Sequence, residues 1–362
     1  MIRSESIKYK MLRYGVEYGE LYASGEPTLR MSGNGEIKCS LQGTFLPFVI
    51  DARGQRMEAN WLIDEIKPIL NINGVDYSLG VLMPASTTPR TEKSMSTLDI
   101  QAYDRCWRVR DTKVENRIYF ASGTRYLEAI VTLLAECGIA TISKIETELS
   151  LPEARDDWEP GTSYLSIVNG LLKEINYKPL WFDQDGVAIL EPASIPTAKN
   201  IKHTFTNKRP DPRNAKEIES INVYPRITKT TDIYQKPNVF VVICSNPDKS
   251  GPMSAKAENI NPESPLSISR RGRKITQVEK VNNVPNQAAL QEYVDQRLSE
   301  SMVTGEIIEL QTALQPGFGV DDVSAVNFDD LNGVCIEREW TMQLKPGGVM
   351  THKLERVVVN IG

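Results

Sequence analysis

The stretch Thr124-Arg125-Tyr126-Leu127-Glu128-Ala129-Ile130-Val131-Thr132-Leu133-Leu134-Ala135-Glu136-Cys137-Gly138 decides how this chain divides. Leu127, Ile130, Val131 and Leu134 recur at i, i+3, i+4 and i+7, the spacing that puts apolar side chains on one face of a helix. Thr124 is placed to cap its start, and Gly138 to take the left-handed conformation just past its end. After the loop 151–161 a second helix is expected, capped by Thr162 or Ser163 and carrying Leu165, Val168, Leu172 and Ile175 as its stripe. Asn176 can end it, and Pro179 pushes Lys178 out of helical geometry. Leu180-Trp181-Phe182, Asp183-Gln184-Asp185-Gly186 and Val187-Ala188-Ile189-Leu190 then read as strand, turn and strand. These parts make a small α+β unit, closed by the Pro-containing stretch 192–197.

Outward from that unit the sequence reads as β in both directions. On the N-terminal side, 37–48 and 61–72 mix β-branched, aromatic and polar residues, punctuated by Gly33-Asn34-Gly35, Asp51-Ala52-Arg53-Gly54 and Asn73-Gly74. Asn-Gly is a strong hairpin signal because both residues tolerate positive φ. Leu98-Asp99-Ile100-Gln101-Ala102-Tyr103-Asp104 alternates apolar and polar, as a half-buried strand does. An antiparallel barrel or sandwich of short strands is expected. On the C-terminal side, 201–214 is polar and Pro-rich enough for a linker, and 221–227 and 239–244 are strand signals, Pro225 confining the first to an edge. Residues 245–274 show no sustained period and read as loop and short strand. A helix follows from Asn286 through Leu290, Val294 and Leu298, and strands are expected over 306–314, 333–344 and 349–359. Lys345-Pro346-Gly347-Gly348 joins the last two as a hairpin, with Trp340, Met342 and Leu344 facing one way and Met350, His352 and Leu354 alternating on the return strand. The fold class is therefore mainly β with α+β: an antiparallel barrel or sandwich, a small α+β unit, and a second β region that carries a helix.

Composition narrows the function. The chain has 362 residues, 40% hydrophobic and 25% charged, enough for two or three domains with a sizeable core. With 42 Lys and Arg against 47 Asp and Glu its net charge is −5, which gives no footprint for specific nucleic-acid binding or for anionic membranes. No apolar run is long enough to span a bilayer, and Met1-Ile2-Arg3-Ser4-Glu5-Ser6 lacks the apolar core of a signal peptide, so a soluble protein made in a cytoplasm is expected. Cys39, Cys106, Cys137, Cys244 and Cys335 are odd in number and show no CxxC, as buried thiols in a reducing compartment would. His203 and His352 are the only histidines. Zinc hydrolases, Ser-His-Asp triads and Cys-His pairs need well-placed imidazoles, and these two look isolated, one in the linker and one in a strand.

Four other features could carry chemistry. Asp183 and Asp185 beside Gly186 could converge on a hard cation, but no bidentate Glu follows at the required spacing, and a hairpin turn is the simpler reading. Glu153, Asp156, Asp157 and Glu159 flank Trp158, and a carboxylate pair beside an aromatic could cut a glycosidic bond if its separation suited that chemistry; an acidic surface loop is the simpler reading. Arg270-Arg271-Gly272-Arg273-Lys274 could meet phosphate or an acidic partner, although no aromatic residue is interleaved for base stacking. The glycines between Gly15 and Gly35 match neither GxGxxG nor GxxxxGK[ST] and are explained by turns.

The order of barrel, α+β unit and second barrel resembles the baseplate hub family of phage tails and related contractile injection particles. The likeness begins at Leu98-Asp99-Ile100-Gln101-Ala102-Tyr103-Asp104-Arg105-Cys106-Trp107, which looks like the strand closing a first barrel. It is strongest through Ala135-Glu136-Cys137-Gly138-Ile139, Trp158-Glu159-Pro160-Gly161-Thr162-Ser163 and Leu180-Trp181-Phe182-Asp183, and continues through Asp185-Gly186 to Leu190-Glu191-Pro192. The helix over 286–298 and the hairpin over 335–359 are similar in arrangement, whereas 245–274 has no match. The resemblance implies two tail-tube-like barrel domains, 1–118 and 201–362, around an α+β domain at 119–200. It also implies a homotrimer forming a pseudo-sixfold ring that joins the tail tube protein to the central spike protein, among other baseplate proteins, in a virion or tailocin baseplate assembled in the host cytoplasm. Such a subunit is not an enzyme and needs no catalytic, cofactor-binding or metal-binding residues, nor membrane insertion. Two other readings compete: a cell-wall-degrading tail enzyme, which needs a carboxylate pair in a cleft, and a receptor- or carbohydrate-binding tail module, which needs several aromatics on one exposed face.

Overall fold

The computed structural model of the chain describes residues 3–92, 95–194, 196–208, 220–231, 236–244, 253–281, 284–301, 303–328 and 331–357. The N-terminal part holds nine strands: β1 (Glu5–Arg13), β2 (Val16–Ala23), β3 (Thr28–Ser32), β4 (Cys39–Ile50), β5 (Arg56–Met57), β6 (Asp64–Ile72), β7 (Val75–Ser78), β8 (Met83–Glu92) and β9 (Met95–Tyr103). Alternation works as expected. Leu98, Ile100 and Ala102 of β9 are buried and Gln101 between them is exposed. The Asn73-Gly74 turn joins β6 to β7 with both residues at positive φ. β4 is long enough to serve four partners, pairing with β3, β9, β2 and β5 along its length.

The α+β unit follows: α1 (Cys106–Asp111), α2 (Tyr126–Glu136), β10 (Ile142–Lys144), α3 (Tyr164–Glu174), β11 (Trp181–Phe182) and β12 (Ala188–Leu190). α2 buries Leu127, Ile130, Leu133 and Leu134, and α3 buries Leu165, Val168, Leu171 and Leu172, giving the unit its own core. Each such side chain contributes about 1.5–3 kcal/mol on full burial. Ser163 caps α3 by accepting from Ser166 N, and Asn176 at φ 56° ends it. Gly138 at φ 74° follows α2 as expected, but Thr124 does not cap that helix. Its carbonyl accepts from Leu151 N, which keeps the chain extended through Arg125, the actual N-cap. The expected strand over 98–107 also stops early. Asp104 accepts from Cys106 N, turning the chain into α1, a helix too short for periodicity to announce.

The C-terminal part contains β13 (Ile201–Thr206), β14 (Ile221–Asn222), β15 (Thr228–Thr231), β16 (Val239–Cys244), β17 (Met253–Glu258), α4 (Ile268–Arg271), β18 (Thr276–Val281), α5 (Gln287–Ser301), β19 (Val303–Ala313), β20 (Val323–Asn327), β21 (Asn332–Gln343) and β22 (Val349–Val357). Asn286 caps α5 by accepting from Ala289 N. Two readings are corrected here. The first six residues of the supposed linker are strand β13, hydrogen-bonded to β20 with Phe205 fully buried; residues 209–214 lie outside the described residues. Within 245–274, read as loop and short strand, β17 is such a strand, whereas α4 is a helix that this reading lacks; residues 245–252 and 358–359 lie outside the described residues. β16, β17 and β18 make a separate three-stranded sheet against α5.

The strands do not separate into two closed antiparallel barrels. Sixteen of them form one branched sheet, because β3 pairs with β4 on one side and β21 on the other, Met31 opposite Trp340 and Leu29 opposite Met342. Within it run two circuits. β6–β1–β2–β4–β9–β8 are joined by ladders, and β8 returns to β6 only through the bridge Ile66–Leu82. β14–β13–β20–β21–β22–β19 are likewise joined, and the return is the single bridge Val223–Thr312. β13 runs parallel to both β14 and β20, so the pairing is not wholly antiparallel. Hairpin signals predict only sequence-near antiparallel partners, and β13 and β20 are brought together from distant parts of the chain. One apolar core runs through both circuits, from Tyr9 to Leu354.

Candidate functional site

The two histidines, which look isolated in sequence, meet in the core of the second circuit. His203 on β13 stacks on Phe318 with ring centroids 3.9 Å apart, and Phe318 and Phe205 each lie 4.9 Å from His352 on β22. His352 Nδ1 is 2.8 Å from Glu337 Oε2, and neither side chain has any solvent exposure. The Thr312 hydroxyl donates to the Ala313 carbonyl and lies 3.1 Å from His352 Nε2. Burial pushes the Glu337 carboxyl up, against the opposing pull of His352. Asp322 faces His203 at 3.5 Å and accepts from Gly319 N and Lys202 Nζ. Burial opposes its ionisation, but nearby His203 and the hydrogen bond and charge of Lys202 hold it below the usual carboxylate range. A histidine–carboxylate pair packed between phenylalanines and closed to water has no path to a substrate in this conformation. What it can do is tie β19, β21 and β22 together.

The acidic loop is organised by two residues that sequence reading missed. Arg155, itself buried, donates to Asp157 and to Glu174 on α3, each at 2.8 Å, and its guanidinium lies 4.9 Å from the centre of the Trp158 ring. Tyr126 of α2 donates to Glu174 Oε2 at 2.8 Å. Burial raises the Glu174 carboxyl to about 7, opposed by Arg155 and Tyr126. Asp156 pairs with Arg117, while Glu159 is exposed. Asp156 and Asp157 thus turn to separate cations, Arg117 and Arg155, and Arg155 also draws in Glu174. Glu174 lies on the polar side of a helix, where periodicity gives no sign that a buried arginine will meet it.

The Asp183–Gly186 stretch is a turn. Asp183 Oδ1 accepts from Asp185 N and Val187 N, Gly186 takes φ 76°, and the Asp185 carboxylate leaves the turn to pair with Lys67 of β6 at 2.8 Å. Its effect is to dock the α+β unit on the first circuit, helped by Arg105, which grips Glu65 with two nitrogens and donates to the Gly186 carbonyl. Gln184 donates to the Phe318 carbonyl, so the same turn also reaches the second circuit. In the basic run, Arg270 donates to the Pro262 carbonyl, Arg271 to the Lys236 carbonyl, and Lys274 pairs with Glu258. Among the described residues no group of three or more His, Cys, Asp or Glu side chains is arranged to hold a metal ion, and no helix is long and apolar enough to cross a membrane.

No protein-family model matches the chain, and no curated protein matches its sequence. Solved structures do match along nearly its whole length. The tail protein from Neisseria meningitidis MC58 is similar with a TM-score of 0.64 at 13% identity, over 97% of this chain and 96% of that one. The 43 kDa tail protein of prophage MuSo2 from Shewanella oneidensis gives 0.63 at 12% identity, over 96% and 98%. The E. coli c3393 protein, a component of the type VI secretion system described as structurally similar to T4 bacteriophage tail proteins gp27 and gp5, gives 0.51 at 8% identity, over 96% and 77%. At these identities the likeness is one of fold. The chain has a mainly β fold shared with phage tail proteins.

Proposed function

We propose that the chain is a structural baseplate hub subunit of a phage or phage-derived tail, three copies forming a pseudo-sixfold ring between the tail tube protein and the central spike protein. The observation that carries this reading is the pair of six-strand circuits in one chain, fused through β3 and β21. Two related units per subunit give six positions around an axis from three copies, which is how a threefold partner can be matched to a sixfold one. In this reading residues 1–118 and 201–362 are two tube-like β domains, each built on one circuit of the shared sheet, and 119–200 is the domain between them. β7 and β15 lie at ends of the sheet, each pairing with a single strand, and neighbouring copies would complete such edges. The likeness of fold to named tail proteins supports a place in a tail particle, with other baseplate proteins as further partners. Its part there is mechanical rather than enzymatic, and the closed histidine pair and the acidic loop serve the fold.

Light scattering and negative-stain imaging of the purified protein test the proposal. A trimer, or a ring with a central channel, is the expected result. A strict monomer at micromolar concentration that still fails to assemble when tube and spike proteins are added would reject it. Clearing of purified peptidoglycan in a zymogram would instead favour a cell-wall enzyme.

A further inference from the structure

The basic run Arg270-Arg271-Gly272-Arg273-Lys274 has no role in the hub reading, yet it sits at one end of a sheet whose outer face carries exposed side chains. Between Lys236 and Val281 the sequence has eight Lys and Arg against four Asp and Glu, in a chain whose net charge is −5. The ladder rungs sort the side chains. Phe240, Val242 and Cys244 of β16, with Ala255 and Ala257 of β17, point toward α5 and share its core. The opposite face carries the rungs Lys256–Val241–Val278 and Ser254–Ile243–Lys280. Val241 and Ile243 are half-buried, Val278 is 59% exposed, and Lys256 and Lys280 are exposed. Lys256 and Lys274 share the single carboxylate of Glu258, whereas Arg273 and Lys280 have no acidic partner among the described residues.

An apolar column with cations on both flanks is complementary to an acidic chain that also carries apolar side chains. A second copy of this protein in a twofold contact is a poor occupant, because it would set the same cations against each other. Nucleic acid is also a poor occupant, since among the described residues this face has no aromatic side chain for stacking and Glu258 lies within it. We propose that the outer face of β16, β17 and β18 docks an acidic segment of another protein, with apolar side chains over Val241, Ile243 and Val278 and carboxylates against Lys256 and Lys280.

The test is fluorescence anisotropy with the full chain and a labelled peptide of alternating Glu and Val. A Lys/Val peptide and a single-stranded DNA of matched length serve as comparisons. The Glu/Val peptide is expected to bind at low salt, and Lys256→Glu with Lys280→Glu to weaken it about tenfold or more, as should raising the salt to about 0.5 M. Val278→Asp should weaken it as well. These side chains are at the surface, so circular-dichroism melts of the variants should match the wild type, and Lys280→Ala alone serves if the double variant melts early. Failure of the Glu/Val peptide to bind, or binding indifferent to the lysine changes, overturns the proposal. DNA binding as tight as the peptide's also overturns it, by making the face a reader of phosphate.

Discussion

His352 and Glu337 are a buried pair whose value depends on both members being present. Removing one partner from a closed hydrogen-bonded pair strands the other without water, which costs about 1–3 kcal/mol, whereas replacing both with apolar groups costs far less. His352→Ala is therefore expected to lower unfolding free energy in urea by about that amount, and Glu337→Leu with His352→Phe to lower it by clearly less than the sum of the single changes. Additive losses would show that the two side chains do not act as a pair. Glu174 makes a pH-dependent counterpart. Its folded-state carboxyl is raised by burial from 4.5 to about 7, so the folded protein holds a proton that the unfolded chain has released over that interval. Stability from this group is complete below pH 4.5 and is lost as pH rises through 7. Relative to Glu174→Gln, the wild type should lose up to about 3 kcal/mol between pH 4.5 and 8, as read from urea melts across that range. A constant difference between the two proteins would contradict it.

The elements that periodicity announces are those whose partners lie nearby in sequence. The β21–β22 hairpin is the clearest case: Trp340 pairs with His352 and Met342 with Met350, and all four are buried on one face, as their alternation requires. Its turn depends on two glycines for different reasons. A Cβ on Gly348 would collide with the Gln343 carbonyl and come 2.8 Å from that of Lys345, both backbone atoms, whereas Gly347 stands in open space at φ 68°. Gly347→Ala is expected to cost about 1 kcal/mol for its left-handed backbone. Gly348→Ala should cost clearly more, because the strands must part; thermal melts that rank the two the other way would refute this. The elements that escaped sequence reading lack such local signals. β13 is polar except at Ile201 and Phe205, and its partner β20 lies more than a hundred residues away. α1 has six residues, too few for a period to show. The histidine cluster was illegible for the same reason as β13, since it forms only when that distant pairing brings His203 to Phe318.

At the scale of the molecule, the division into a barrel, an α+β unit and a second barrel, which the sequence suggests, is looser than it looks. The α+β unit keeps its own core between α2 and α3, but the two circuits share theirs. β3 is the seam: Leu29 and Met31 are buried beneath β21, and Arg30 grips Glu339 across the same ladder with two hydrogen bonds. A fragment ending at residue 118 would lose β21, open the seam strand, and expose Leu29 and Met31 along an unpaired edge, the condition that promotes aggregation. Each such side chain forfeits about 1.5–3 kcal/mol of burial, against a net stability for a whole domain of about 5–15 kcal/mol. The 1–118 fragment is therefore expected to be insoluble or to lack a cooperative melt, while in the full chain both circuits unfold in one calorimetric transition. A soluble, cooperatively folding 1–118 fragment would mean that the seam is a contact between independent domains, and the shared core would then contribute little to holding the halves of a ring subunit in register.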